Sequence, residues 1–211
     1  MTGLLLNDLY SMKRLGKTYA LFLLFFIILG VVSGNSSFFG SFIAVYSMMI
    51  GISVFSFHEQ SHWDSYANTL PVSREGMAGS YYLIAGIAIL TGAVLGFLVQ
   101  LGTVVSGEMT VPEALIVTVI LAAVGLWMMA FDIPLFLKFG SERGRMVMIG
   151  TYIVMFGALF AVSRLTDVGT SLAFLTEQNV GILAAAALVS GLIALFVSYR
   201  IALGMYRKKE F

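Results

Sequence analysis

The chain has 211 residues, of which 59% are hydrophobic and only 11% charged, with a formal net charge of +1 and no cysteine. So little polar side chain cannot cover a water-facing exterior, which excludes a soluble globular protein and makes the bilayer the solvent. The lack of cysteine excludes a disulfide framework, a thiolate nucleophile and Cys-ligated metal, and no basic cluster points to nucleic acid.

An apolar bilayer core of roughly 30 Å asks for about 20 helical residues. Six runs qualify, at 18–33, 38–57, 77–105, 111–137, 146–162 and 179–202, and none alternates as a barrel strand does. The predicted fold is an all-α membrane protein: one six-helix bundle over 1–211, with an N-terminal interfacial helix over 1–17. In that helix Leu5, Leu9 and Met12 recur at helical spacing, opposite Asp8, Ser11, Lys13 and Arg14, which suits a helix lying in the membrane interface. A frayed polar tail is the other reading. Basic residues before the first run, with Ser33 and Gly34 after it, look like a signal peptide. Cleavage there would leave five spans and misplace every later loop against the charge pattern, so the run is expected to stay. Gly16-Lys17-Thr18 matches the end of a phosphate-binding loop, but Ser11 stands where that pattern needs glycine and no strand precedes it. Gly34-Asn35-Ser36-Ser37 is a tight turn, so the first two spans form a hairpin.

The segment 58–76 is the longest polar interruption and supports two readings. His58-Glu59-Gln60-Ser61-His62 matches H-E-x-x-H, in which two histidines on one helix face hold zinc and the glutamate activates a bound water. These are the only two histidines in the chain, so a third ligand would be a carboxylate such as Asp132 or Glu142. Read as structure instead, Ser61 and Asp64 form a helix start. Trp63, Tyr66, Ala67 and Leu70 then make one apolar stripe at i, i+3, i+4 and i+7, Pro71 ends the helix, and Ser73 caps the third span. Such a helix either docks in a partner's groove or packs on the membrane surface or a neighbouring loop.

In the third span Ala88, Gly92 and Gly96 recur every four residues, a face for close helix approach in lipid. Either a second subunit or another helix of the same chain can fill it, and the intramolecular role is the expected one. Gln100 lies toward the outer end of that span. A short outside loop covers 103–112, with Pro112 opening the fourth span. Asp132 is six residues, about 9 Å of helix, from Lys138, near the inner boundary and so at a level where it can be wet. A second inside loop is expected over 138–146, and Val168, Leu172 and Leu175 suggest a short helix within the outside connection 164–178. The 12 Met and 17 Phe suit an amphipathic or lipid-like cargo and equally suit ordinary helix packing.

Orientation follows from the cations. With the N-terminus inside, eleven of the twelve Lys and Arg fall inside and only Arg164 outside, beside Glu108, Glu113, Asp167 and Glu177. Both termini are then cytoplasmic.

Glu59, Trp63, Tyr66 and Leu70-Pro71-Val72-Ser73-Arg74 resemble the first cytoplasmic loop of small type-2 ABC exporter permeases, most of all those of the phenol-soluble modulin exporter group of Gram-positive bacteria. The stretch from Asp132-Ile133-Pro134-Leu135 through Lys138-Phe139-Gly140 to Glu142, Arg143 and Arg145 is similar to the second inside loop of that family, and the likeness covers essentially the whole chain. His58 and His62 are not part of the pattern. The resemblance implies a permease subunit of a bacterial plasma membrane exporter with no cofactor of its own, ATP and magnesium being bound by a separate ABC ATPase. It implies that Glu59, Trp63, Tyr66, Leu70, Pro71, Val72, Ser73 and Arg74 form a coupling helix seated on that ATPase. Lys138, Phe139, Gly140, Glu142, Arg143 and Arg145 would form a second contact, although inside-facing charge around a tight glycine turn accounts for them as well. A second permease, identical or paralogous, would complete the pathway, and such subunits usually meet through their first and fifth spans. The alternative function is a membrane-embedded zinc metallopeptidase using His58, His62 and Glu59.

Overall fold

The computed structural model describes residues 17–30, 32, 38, 40–43, 46, 53, 56, 74–165 and 177–208. The expected interfacial helix over 1–17, the histidine pair, the Trp63 stripe and the short helix within 164–178 lie wholly or mostly outside those residues. Among the described residues all regular structure is helical. It comprises an apolar helix α1 (Lys17–Gly30), scattered helical positions over 38–56, and three long helices, α2 (Arg74–Val105), α3 (Val111–Leu165) and α4 (Glu177–Lys208). Three segments are long and apolar enough to cross a membrane: Gly76–Val105, Val111–Gly140 and Asn179–Met205. Large side chains on their outward faces, such as Leu90, Ile182 and Phe196, are mostly exposed, as expected where hydrocarbon is the solvent.

The first hairpin is present in its aromatic pairs. The Phe26 and Phe42 rings meet tilted, 4.4 Å between centres, while Tyr19, Phe22 and Phe26 surround Tyr46 and the Tyr19 hydroxyl pairs with Ser53. Later residues of one segment meet earlier residues of the other, so the two run antiparallel.

The turn between α2 and α3 is built by local rules. Gly107 adopts φ 79°, its N–H bonds Val104 C=O and the Glu108 N–H bonds Thr103 C=O, each at 3.1 Å. That is the double hydrogen bond of a glycine-terminated helix. The Glu113 carboxylate then accepts from the Thr110 N–H at 2.7 Å, which is half of a capping box opening α3.

The connection expected as a second inside loop takes a different form. In place of a loop over 138–146, those residues are helical and the chain turns at Gly140 alone, with φ 78° and ψ 175°. Only glycine adopts that region freely, so one residue reverses a helix that charge patterning alone marks as a loop. A Cβ on Gly144 would lie 2.9 Å from Phe136 Cδ1, and Asp132 faces Tyr152, so the two arms of α3 run antiparallel about Gly140.

Candidate functional site

Three helices are pinned together at one level. Pro134 lies inside α3 and has no N–H to give to the Ala130 carbonyl one turn earlier. Ser198 of α4 supplies the missing donor, its Oγ bonding Ala130 O at 2.6 Å. With that hydrogen committed, the Tyr82 hydroxyl of α2 donates to Ser198 Oγ at 2.7 Å, and the Tyr82 and Tyr199 rings meet edge to face at 5.3 Å. Tyr82 and Ser198 are both buried. Each junction residue lies about 12–15 Å of helix from an end: Arg74 for Tyr82, Gly140 for Ala130 and Lys208 for Ser198. Those three helix ends therefore gather at one end of the bundle.

That end holds the second set of residues expected to meet an ATPase. Lys138, Phe139, Glu142, Arg143 and Arg145 are all exposed around the Gly140 turn. The guanidinium Nη2 of Arg145 donates to Ser56 Oγ at 3.1 Å, which holds the turn against the stretch that leads into segment 58–73. Arg74, directly after Ser73, begins α2 at the same end. The structure thus brings the flanks of the first expected contact set next to the second set, 138–145. Glu59, Trp63, Tyr66, Leu70, Pro71, Val72 and Ser73 lie outside the described residues, as do His58 and His62. Among the described residues no cluster of three or more His, Cys, Asp or Glu could hold a metal.

Asp132 is not at a wet boundary but 2% exposed, between the arms of α3. The Tyr152 hydroxyl faces both of its carboxylate oxygens, at 3.0 and 2.9 Å. A carboxylate away from water needs such a donor, and the pair ties the second arm to the first. Sequence reading reached Asp132 but missed Tyr152, Tyr82 and Ser198. The proline in the span is a signal that a carbonyl lacks a donor, yet nothing local says which distant hydroxyl supplies it.

Toward the Val105 end of α2, Ala88, Gly92, Gly96 and Gln100 are all buried. A Cβ on Gly40 would come 2.9 Å from the Gly96 carbonyl oxygen and 2.8 Å from Gln100 Cγ. The small-residue face is therefore occupied within the chain, by the segment carrying Gly40. Gln100 is 0% exposed, and among the described residues neither its Oε1 nor its Nε2 has a partner. An unpaired buried amide costs about 1–3 kcal/mol, so Gln100→Leu is expected to raise the thermal midpoint in detergent. An unchanged or lowered midpoint would show that the amide is partnered.

A groove of about 790 Å³ runs between the first arm of α3 and α4. Its wall is apolar, with Trp127 and Phe131 stacked at 6.4 Å and Lys138 at its Gly140 end.

The profile of the family described as ABC-2 family transporter protein matches residues 3–207. No curated protein and no solved structure matches the chain.

Proposed function

The chain belongs to the ABC-2 family of transporter proteins, and we propose that it is the six-span permease subunit of an ATP-driven exporter of the bacterial plasma membrane. Membership makes it the membrane subunit of a transporter, not a catalytic enzyme, and implies an ABC ATPase as partner. The finer reading adds that both termini are cytoplasmic, and that a second permease, identical or paralogous, completes a pathway for an amphipathic peptide or lipid-like cargo. It takes the phenol-soluble modulin exporter permeases as the nearest likeness. ATP and magnesium are bound on the ATPase chain.

The observation that carries this reading is the convergence at the Gly140 end. The helix ends at Arg74 and Lys208, the exposed Arg143 and Arg145, and the Arg145–Ser56 bond put the flanks of the loop 58–73 and the Gly140 turn on one surface. A soluble partner seated there touches both and can transmit its own closure to α2 and α3 together. Cations clustered on that surface also match the inside excess of Lys and Arg.

The test is copurification of the cognate ATPase with the full chain. Arg143→Glu combined with Arg145→Glu reverses two exposed charges at the contact, and like-charge juxtaposition costs several kcal/mol. At least a tenfold loss of bound ATPase is expected, with membrane insertion unchanged. Wild-type recovery of the ATPase by the double variant would remove the Gly140 turn from the contact.

A further inference from the structure

We propose that the groove between the first arm of α3 and α4 is a site for one anionic phospholipid, its acyl region lying along Phe131, Val197 and Ile201 and its phosphate on the Lys138 ammonium. The groove's hydroxyls are satisfied inside the protein. Ser190 donates to Ala187 O at 2.8 Å, Ser198 to Ala130 O at 2.6 Å and Thr151 to Val147 O at 2.9 Å. The Trp127 indole N–H is directed to Ser190 Oγ at 3.3 Å. What the groove offers an occupant is therefore hydrocarbon along its length and one cation at one end. Lys138 Nζ lies 5.2 Å from the centre of the Phe139 ring, and among the described residues no carboxylate is paired with it. That is the complement of an amphiphile with a single anionic head.

The length of the groove matches one leaflet. Trp127 and Lys138 are eleven residues apart on one helix, about 17 Å, close to the half-thickness of a hydrocarbon core of roughly 30 Å. Acyl chains of one leaflet match that length, and the Lys138 cation at its end matches a single anionic head. The assignment takes Lys138 out of the ATPase contact and leaves Glu142, Arg143 and Arg145 to it. It needs the membrane setting but not the ATPase.

Trp127 is the built-in probe, because the chain has only two tryptophans and Trp63→Phe leaves it alone. The full-length Trp63→Phe protein is reconstituted in phosphatidylcholine vesicles, and quenching of Trp127 is titrated with dibrominated phosphatidylglycerol against dibrominated phosphatidylcholine. One Lys–phosphate contact at the membrane surface corresponds to about a fivefold preference for the anionic lipid. That ratio should fall to about one in Lys138→Gln and be retained in Lys138→Arg. Equal quenching by both lipids with Lys138 intact, or a preference that survives Lys138→Gln, overturns the site. So does an absence of quenching by either lipid, which would mean that protein covers the groove. No nucleotide, ATPase or cargo enters the assay, so its failure leaves the exporter reading untouched.

Discussion

Gly92→Leu protein is expected to misfold in the membrane, not to yield a stable particle of reduced mass. Gly92 lies midway along a buried stripe with Ala88, Gly96 and Gln100. The segment carrying Gly40 approaches that stripe so closely that a Cβ added to Gly40 itself would meet the Gly96 backbone oxygen at 2.9 Å. A backbone oxygen cannot rotate away as a side chain can. A four-carbon side chain on the same face must therefore push whole helices apart, a larger disturbance than the roughly 1–3 kcal/mol of ordinary core overpacking. In lipid no hydrophobic drive between helices offsets the lost contacts. Gly86→Leu supplies the control on the same helix. Gly86 has no atom within 4 Å of an added Cβ, and replacing a helix-interior glycine by leucine favours the helix. In detergent Gly86→Leu should be monodisperse and Gly92→Leu aggregated or degraded. A Gly92→Leu protein that is monodisperse, thermally stable and half the wild-type mass would place this face between two subunits.

What was legible in the sequence was whatever rests on neighbours a few residues apart. The small-residue stripe at 88, 92 and 96 was visible as a close-packing face, because a helix repeats every turn. The turn within 103–112 was visible as a short break with Pro112 at the start of the next span, and its hydrogen bonds, through Gly107, Thr110 and Glu113, join residues only a few positions apart. The Gly140 turn was read as nine residues of loop because Lys138, Glu142, Arg143 and Arg145 look like a solvated connection. Charges can equally ride on helix turns that project past the membrane, and only the glycine-specific dihedrals at Gly140 break the helix. Asp132 was placed by its distance from Lys138, which measures depth along the helix but not which face of it is buried. Tyr152, twenty residues on, decides that face once the arms of α3 fold together. The Tyr82–Ser198–Ala130 chain spans more than a hundred residues of sequence, and no local pattern encodes such a pairing. The groove is likewise a property of two helices, although each of its walls is ordinary apolar span.

Trp63→Ala combined with Leu70→Ala is expected to abolish recovery of the ATPase with the permease while leaving the membrane bundle intact. The two side chains share one stripe of a helix predicted between Ser61 and Pro71, and that helix issues from the end of the bundle where Arg145 grips Ser56 and α2 begins at Arg74. An anchoring tryptophan truncated to alanine costs about 2 kcal/mol or more at an interface centre. A buried leucine contributes about 1.5–3 kcal/mol. Together they approach 4 kcal/mol, about a thousandfold in affinity, which exceeds what washing an affinity column tolerates. The buried junction of α2, α3 and α4 is held by Tyr82, Ser198 and Ala130, so the thermal midpoint of the isolated permease should stay within a few degrees of wild type. The two readouts separate docking from folding. Lost ATPase with an unchanged midpoint supports the coupling helix, and wild-type recovery of the ATPase by the double variant removes Trp63 and Leu70 from the contact. A collapsed midpoint would show that the stripe packs on its own bundle instead of on a partner.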